Sequence, residues 1–255
     1  MPDQPAKTRY FLISCNRALV LDGLHFARQV PLFPVERTFD LSEVARLRSG
    51  QAGRISWSIL FLKAYAIVAR GYAPLRQAYL RWPWPRLVEA PHSVGMLALN
   101  REHRGEDRIC WGRFDEPENQ PLARLQRQLE RYQSEPVNDA FQRQVRMSRM
   151  PGWLRRGLLW WNLNFAGSRR ARRLGTFSLS TLAGQGVLNR SHPTFLTTSL
   201  TYGPLDERGQ CVVTLLCDHR VIDGVLAARA LGDLHAALCG PIAAELASGI
   251  VAKAA

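Results

Sequence analysis

The stretch Cys211-Val212-Val213-Thr214-Leu215-Leu216-Cys217-Asp218-His219-Arg220-Val221-Ile222-Asp223-Gly224 constrains this chain more than any other. Residues 212–217 form an apolar run bounded upstream by the loop 203–209, the pattern of a buried strand. The run then breaks into Asp218, His219 and Arg220, and Asp223-Gly224 opens a helical pattern over 225–238. One imidazole therefore sits where a buried strand ends, with a carboxylate four residues on. A histidine held there can keep one tautomer and one direction, as a general base needs. An H-x-x-x-D-G string alone is weak, because most lone histidines are structural.

Upstream lies a second patterned stretch, Gly175-Thr176-Phe177-Ser178-Leu179-Ser180-Thr181-Leu182. It reads as a short strand that places Ser178 and Ser180 on one face.

Together the two stretches extend the argument. Cys217-Asp218-His219-Arg220-Val221-Ile222-Asp223-Gly224 resembles the signature of the catalytic domain of the dihydrolipoyl acyltransferases of 2-oxoacid dehydrogenase complexes. That domain shares its fold with chloramphenicol acetyltransferase. Gly175 to Leu182 is similar to the second signature of that family, G-T-F-T-I-S-N-L, and the two occur in the family's order. The resemblance implies an α/β fold of two layers, a mixed β-sheet packed with helices, with residues 1–255 as a single acyltransferase-like catalytic domain. It implies an acyltransferase that takes an acyl group from a thioester donor, coenzyme A or an acyl-carrier thioester, to an acceptor the sequence does not name. By the same resemblance His219 is the general base and Ser180 the oxyanion donor, with Ser178 leaving the register open. Asp223 would fix the loop through a salt bridge to an arginine, for which Arg17 is the nearest candidate by position and Arg28 the fallback. Gly224 would allow a close turn into the helix, and Asp218 and Arg220 would join the same ion-pair set. In the family the histidine and serine come from different subunits, so a homotrimer or larger oligomer is implied. The other reading is a catalytically inactive trimeric scaffold or regulatory subunit with the same fold. Intact His219, Asp223 and Ser180 argue against it, and the absence of the family's G-L-x-x-P-v strand near 108–114 argues mildly for it; the family's asparagine is also missing after Pro74-Leu75-Arg76.

Elsewhere, residues 8–15 read as a first strand and residues 17–29 as a helix. Asp40 or Ser42 is placed to cap the next helix. Residues 56–70 are apolar nearly all round, which predicts a helix buried against a sheet. Residues 121–134 carry Leu122, Leu125, Leu129 and Tyr132 at amphipathic spacing, and residues 241–255 read as a weak alanine-rich helix.

Net charge is +13, almost all from arginine, since the only lysines are Lys7, Lys63 and Lys253. Such a surface suits a nucleotide-bearing cosubstrate or an acidic acyl carrier protein. Nucleic-acid binding has net charge alone behind it and no recognition motif, so none is expected. Segment 151–173 is unusual: Trp153, Trp160, Trp161 and Phe165, then Arg169, Arg170, Arg172 and Arg173. Three readings stay open. It is a core helix ending in a basic turn; a membrane-surface or acyl-pocket element from Trp153 to Phe165; or a phosphate or carrier site using the four arginines.

The five cysteines are odd in number and lack C-x-x-C spacing, and the six histidines are scattered. A reduced, cytoplasmic chain without a metal site is expected, with a peripheral membrane position left open. No run of about 18 apolar residues stands out, so no membrane span is expected. With no room before residue 8 for a lipoyl domain, the chain is expected to correspond to the catalytic core and to carry no lipoyl group.

Overall fold

In the computed structural model, which describes residues 8–50 and 53–254, the apolar run becomes a strand buried inside a mixed sheet. In chain order the elements are α1 (Cys15–Ala27), β1 (Leu32–Asp40), α2 (Ser42–Ser49), α3 (Trp57–Gly71), β2 (Gln77–Leu80), β3 (Arg86–Glu89), β4 (Val94–His103) and β5 (Glu106–Asp115). Then come α4 (Leu122–Ser134), α5 (Val137–Ala140), α6 (Gln142–Ser148), α7 (Gly152–Asn164), α8 (Ser168–Leu174), β6 (Phe177–Leu179), β7 (Thr198–Tyr202), β8 (Gln210–Asp218), α9 (Gly224–Ala237) and α10 (Ala243–Ala254). Six strands form one sheet in the order β1-β8-β7-β6-β4-β5, and β2 and β3 form a separate hairpin. β6 runs parallel to both its neighbours, while the remaining pairs in the large sheet are antiparallel.

Alternation along the strands separates the two faces. Cys211, Val213, Leu215 and Cys217 of β8, with Leu200 and Tyr202 of β7 and Phe177 and Leu179 of β6, enter the main core. The helices α3, α4 and α9 supply the opposing side chains. α3 starts at Ser56, whose hydroxyl accepts the Ser58 amide at 3.3 Å, and buries Ile59, Leu60, Phe61, Leu62 and Tyr65. Phe61 stacks on Tyr202 with ring centroids 4.3 Å apart, and the Tyr65 hydroxyl donates to Thr198 Oγ1 at 2.7 Å. The one charge buried in this helix, Lys63, is matched by Glu245 of α10. The other oxygen of Glu245 accepts the Leu122 amide at 2.7 Å, which fixes the start of α4. A buried ammonium needs this kind of satisfied partner.

Most elements expected from periodicity are present, with one correction. Residues 8–14 form no strand: they pair with no sheet edge, and Tyr10, Phe11, Leu12 and Ile13 stand exposed. Four consecutive apolar residues mimic a strand, but one chain offers this segment no surface to cover. The alanine-rich tail is a helix, as its composition suggests. A π turn at Leu238–Ile242, where Pro241 lacks an amide hydrogen, joins α9 to α10, and Ile242, Ala243 and Leu246 are buried in the core. The joined helix Gly224–Gly249 is long and apolar enough to cross a membrane by length and composition alone, a test that a buried core helix also passes. One face of it is core: Ala227, Ala230, Leu231, Leu234 and Leu238 pack with α3 and the sheet.

Candidate active site

His219 is the first residue beyond β8. Its amide donates to the Pro31 carbonyl at 3.0 Å, and the Asp218 carbonyl accepts the Val221 and Ile222 amides at 3.0 Å each. These bonds fold the chain into a tight turn and project the imidazole. The ring lies 4.6 Å from Phe33 of β1, and Nδ1 lies 3.7 Å from Asp223 Oδ1. The side chain is 59% exposed, and Nε2 has no hydrogen-bond partner among the described residues. An imidazole with one nitrogen facing a carboxylate and the other open has the geometry of a base awaiting a substrate proton.

The Asp218 side chain engages Arg220 and not His219. It is 4% exposed and grips Arg220 twice, Nε to Oδ1 at 2.9 Å and Nη2 to Oδ2 at 2.7 Å. The Arg220 guanidinium lies 4.4 Å above the Tyr79 ring. Arg220 thus belongs with Asp218, while Asp223 belongs with His219. The single ion-pair set expected from the sequence is two.

Ser180 follows β6, its amide donating to the Leu200 carbonyl at 3.0 Å. The strand is approached through Gly175, whose φ of +91° falls in the left-handed region. A Cβ there would stand 2.3 Å from Met96 Cγ, so only glycine fits. The Ser180 hydroxyl makes no hydrogen bond among the described residues. Ser178 differs: its hydroxyl meets Ser199 Oγ at 2.6 Å, which in turn meets His192 Nε2 at 2.6 Å. Of the two serines on this face, Ser180 is the one whose hydroxyl is uncommitted. The Ser178–Ser199–His192 chain is absent from the sequence reading, and no motif marked it. Burial lowers the His192 pKa, and its Nδ1 has no partner.

One chain does not bring His219 and Ser180 together. Leu179, Leu200 and Leu215 lie in one row across β6, β7 and β8. Ser180 is one step from that row and His219 four steps from it in the opposite direction. At about 3.3 Å per residue and about 4.8 Å per strand, the two positions are roughly 19 Å apart.

The remaining candidates are scattered. Arg17 lies in the first turn of α1, beside Asn16, which bonds to the His103 carbonyl at the far end of the β4–β5 hairpin. The end of α1 that approaches His219 is its last, about 16 Å from Arg17 along the axis. Neither Arg17 nor Arg28 pairs with Asp223 among the described residues, and the Asp223 side chain is 88% exposed. The close turn expected at Gly224 is not there either, since a Cβ would meet nothing within 4 Å and its φ is not left-handed.

Among the four arginines after α7, Arg169 and Arg172 are exposed and Arg173 donates to Asn162 Oδ1 at 2.8 Å. Arg170 alone turns inward and is 5% exposed. Burial pulls its guanidinium down to about 10, with Asp218 opposing the shift and Arg220 adding to it. α7 itself is no core helix. Asp22 of α1 tethers it by accepting Arg155 Nε at 2.6 Å and Arg156 Nε at 2.9 Å, while Trp153, Leu158 and Trp161 remain exposed.

This sheet order, with its helical layer on one face and the histidine turn at the end of β8, is the chloramphenicol acetyltransferase-like fold, shared with the catalytic domains of dihydrolipoamide acyltransferases. Among solved structures, the chain is similar to the dihydrolipoamide acetyltransferase of Azotobacter vinelandii. The two are 14% identical with a TM-score of 0.70, and the match covers 96% of this chain and 100% of that one. It is also similar to a truncated catalytic core of the 2-oxoacid dehydrogenase multienzyme complex from Thermoplasma acidophilum, at 15% identity and a TM-score of 0.67, covering 92% and 99%. A chloramphenicol acetyltransferase matches at 14% identity and a TM-score of 0.52, covering 85% and 94%. No family model matches the sequence, and neither does any curated protein.

Proposed function

We propose that this protein is an acyltransferase whose active site forms between copies of the chain. The observation that carries the proposal is the pair of half-sites: an open imidazole at one end of the sheet and a free serine hydroxyl roughly 19 Å away at the other. Each lacks what the other has, and a ring of identical subunits joins them once per interface. A homotrimer is the smallest closed ring built from head-to-tail contacts, in which each interface sets one histidine face against one serine face. The Azotobacter enzyme, studied for the role of one serine, one histidine and one asparagine in its catalytic mechanism, supports the same assignment here.

The mechanism follows from these groups. His219 Nε2 takes the proton from the acceptor thiol or hydroxyl as its sulfur or oxygen attacks the thioester carbonyl carbon. The carbonyl electron pair moves onto oxygen, and the Ser180 hydroxyl of the neighbouring subunit donates a hydrogen bond to that oxyanion. Collapse restores the carbonyl and breaks the bond to the donor sulfur, which leaves as a thiolate and recovers the proton from the imidazolium. Asp223, beside Nδ1, stabilises the imidazolium while it exists. No nucleophilic serine is required.

The arginine-rich surface supports a coenzyme A or acidic carrier-bound donor. Exposed Trp153, Leu158 and Trp161 support contact of α7 with a membrane surface, which co-flotation with anionic vesicles tests. The deciding experiment is thiol release from a panel of acyl-coenzyme A and acyl-carrier thioesters, wild type beside His219→Ala. Turnover that falls about 100- to 10,000-fold in the variant is expected. A stable oligomer inert towards every donor would point instead to the scaffold.

A further inference from the structure

A cleft of about 130 Å³ opens beside the turn that carries His219. Its charged floor is Arg170, Asp218 and Arg220, and its walls include Tyr79, Trp82 and Trp160. The two floor residues on β8 and its turn are the chain neighbours of the imidazole, one on each side.

The charges of this floor do not balance. Both Asp218 oxygens are taken up by Arg220, through the three side-chain contacts at 2.7–3.2 Å, and Asp218 Oδ1 also accepts the Arg220 amide at 3.0 Å. Among the described residues Arg170 has no carboxylate of its own: its Nη2 reaches only the Phe195 carbonyl, at 3.5 Å, and its Nε is buried without a partner. A guanidinium that is 5% exposed and unpaired is costly, and each buried donor left unmade adds to the cost. One carboxylate between two guanidinium groups leaves a net positive charge facing an aromatic-walled space. A third guanidinium, Arg81, lines the rim.

We propose that this cleft binds a carboxylate on a short apolar stem, carried by a substrate of the acyl transfer, with Arg170 and Arg220 as its recognition residues. Guanidinium forks match a carboxylate in two parallel hydrogen bonds, and the rings of Trp82, Trp160 and Tyr79 suit the stem. Size sets the class. A closed cavity of about 150 Å³ holds a benzene molecule; this cleft is slightly smaller but open at its mouth, so it seats the carboxylate end of a small acid that projects from it, and not a phosphorylated nucleoside. The inference rests on the acyltransferase reading for its link to turnover, but the binding step stands apart from it.

The test is calorimetric titration of the intact protein with benzoate, and in parallel with inorganic phosphate, on wild type, Arg170→Gln and Arg170→Lys. Benzoate should bind the wild type saturably and more tightly than phosphate. Arg170→Gln should weaken it about ten- to hundred-fold, the loss of a charge-assisted pair, and Arg170→Lys should restore part of the affinity. Melting curves guard against a folding artefact: benzoate should raise the melting temperature of the wild type but not of Arg170→Gln. Absent benzoate binding, binding indifferent to Arg170→Gln, or phosphate binding as tightly as benzoate would each overturn the proposal. The functional arm compares kcat/KM for succinyl-coenzyme A with that for acetyl-coenzyme A, a ratio that should drop at least about tenfold in Arg170→Gln. Benzoate binding with no thioester turned over would keep the subsite and sink the acyltransferase reading. Turnover with an unchanged ratio and no benzoate binding would do the reverse.

Discussion

Two dead variants of this protein should revive each other. His219→Ala removes the base and Ser180→Ala the oxyanion donor, and each alone should lose about 100-fold or more in turnover. Roughly 19 Å separates the two residues in one chain, so under the proposed interface site every working site draws on two chains. When the variants are co-expressed in equal amounts and mix at random, a site is intact only where a Ser180→Ala chain supplies the histidine and a His219→Ala chain the serine. In a closed ring that holds for about one quarter of sites. If the two chains carry different tags and only mixed trimers are kept, each has one intact interface in three, so about one third of wild-type activity is expected. Thiol release from an accepted acyl thioester reads the result directly. Mixed oligomers no more active than the better parent variant would refute the interface site, because a site complete within one chain cannot be rescued by exchange.

Other consequences are readable by stability. Asp22→Ala strands Arg155, whose side chain is 13% exposed, and should cost about 3 kcal/mol in urea unfolding, with a change in tryptophan emission as α7 loosens. An unchanged midpoint would show that the pair does not hold this helix. Phe61→Ala empties a fully buried position against Tyr202 and should cost about 3–5 kcal/mol by the same measurement. His192 gives a pH signature. Burial depresses its folded pKa, so the unfolded chain binds the proton first and stability falls as pH drops below the unfolded value near 6.5. The slope reaches at most about 1.4 kcal/mol per pH unit and ends below the folded pKa. His192→Gln should flatten the melting temperature between pH 7.5 and 5, and an equal slope in the variant would assign the effect elsewhere.

The elements legible in the sequence are those whose pattern is local. The β8 run, the His219 turn, the apolar α3 and the Leu122–Leu125–Leu129 stripe of α4 all carry their burial in their own spacing. What was not legible depends on partners distant in the chain. Residues 8–14 have the composition of a strand but no edge to pair with. Arg17 has the expected position in sequence, yet the run of α1 carries it away from Asp223 and towards the β4–β5 hairpin. Nothing local separates Arg170 from Arg169, Arg172 and Arg173, because the phase of a seven-residue arginine-rich helix is set by what α8 packs against. The choice between Ser178 and Ser180 likewise needed Ser199 and His192, which lie on the far side of a loop.

The pairing of β1 with β8 also bears on how the chain is made. β1 emerges from the ribosome about 170 residues before the strand that completes its hydrogen bonds. Lys63 waits about as long for Glu245, so the central helix holds an unmatched ammonium until α10 has been translated. Nascent chains of intermediate length therefore present an open sheet edge and a charged core helix together, a form suited to chaperone capture. Closure of the core therefore waits on α10, whose Glu245 is the carboxylate that α3 lacks until then.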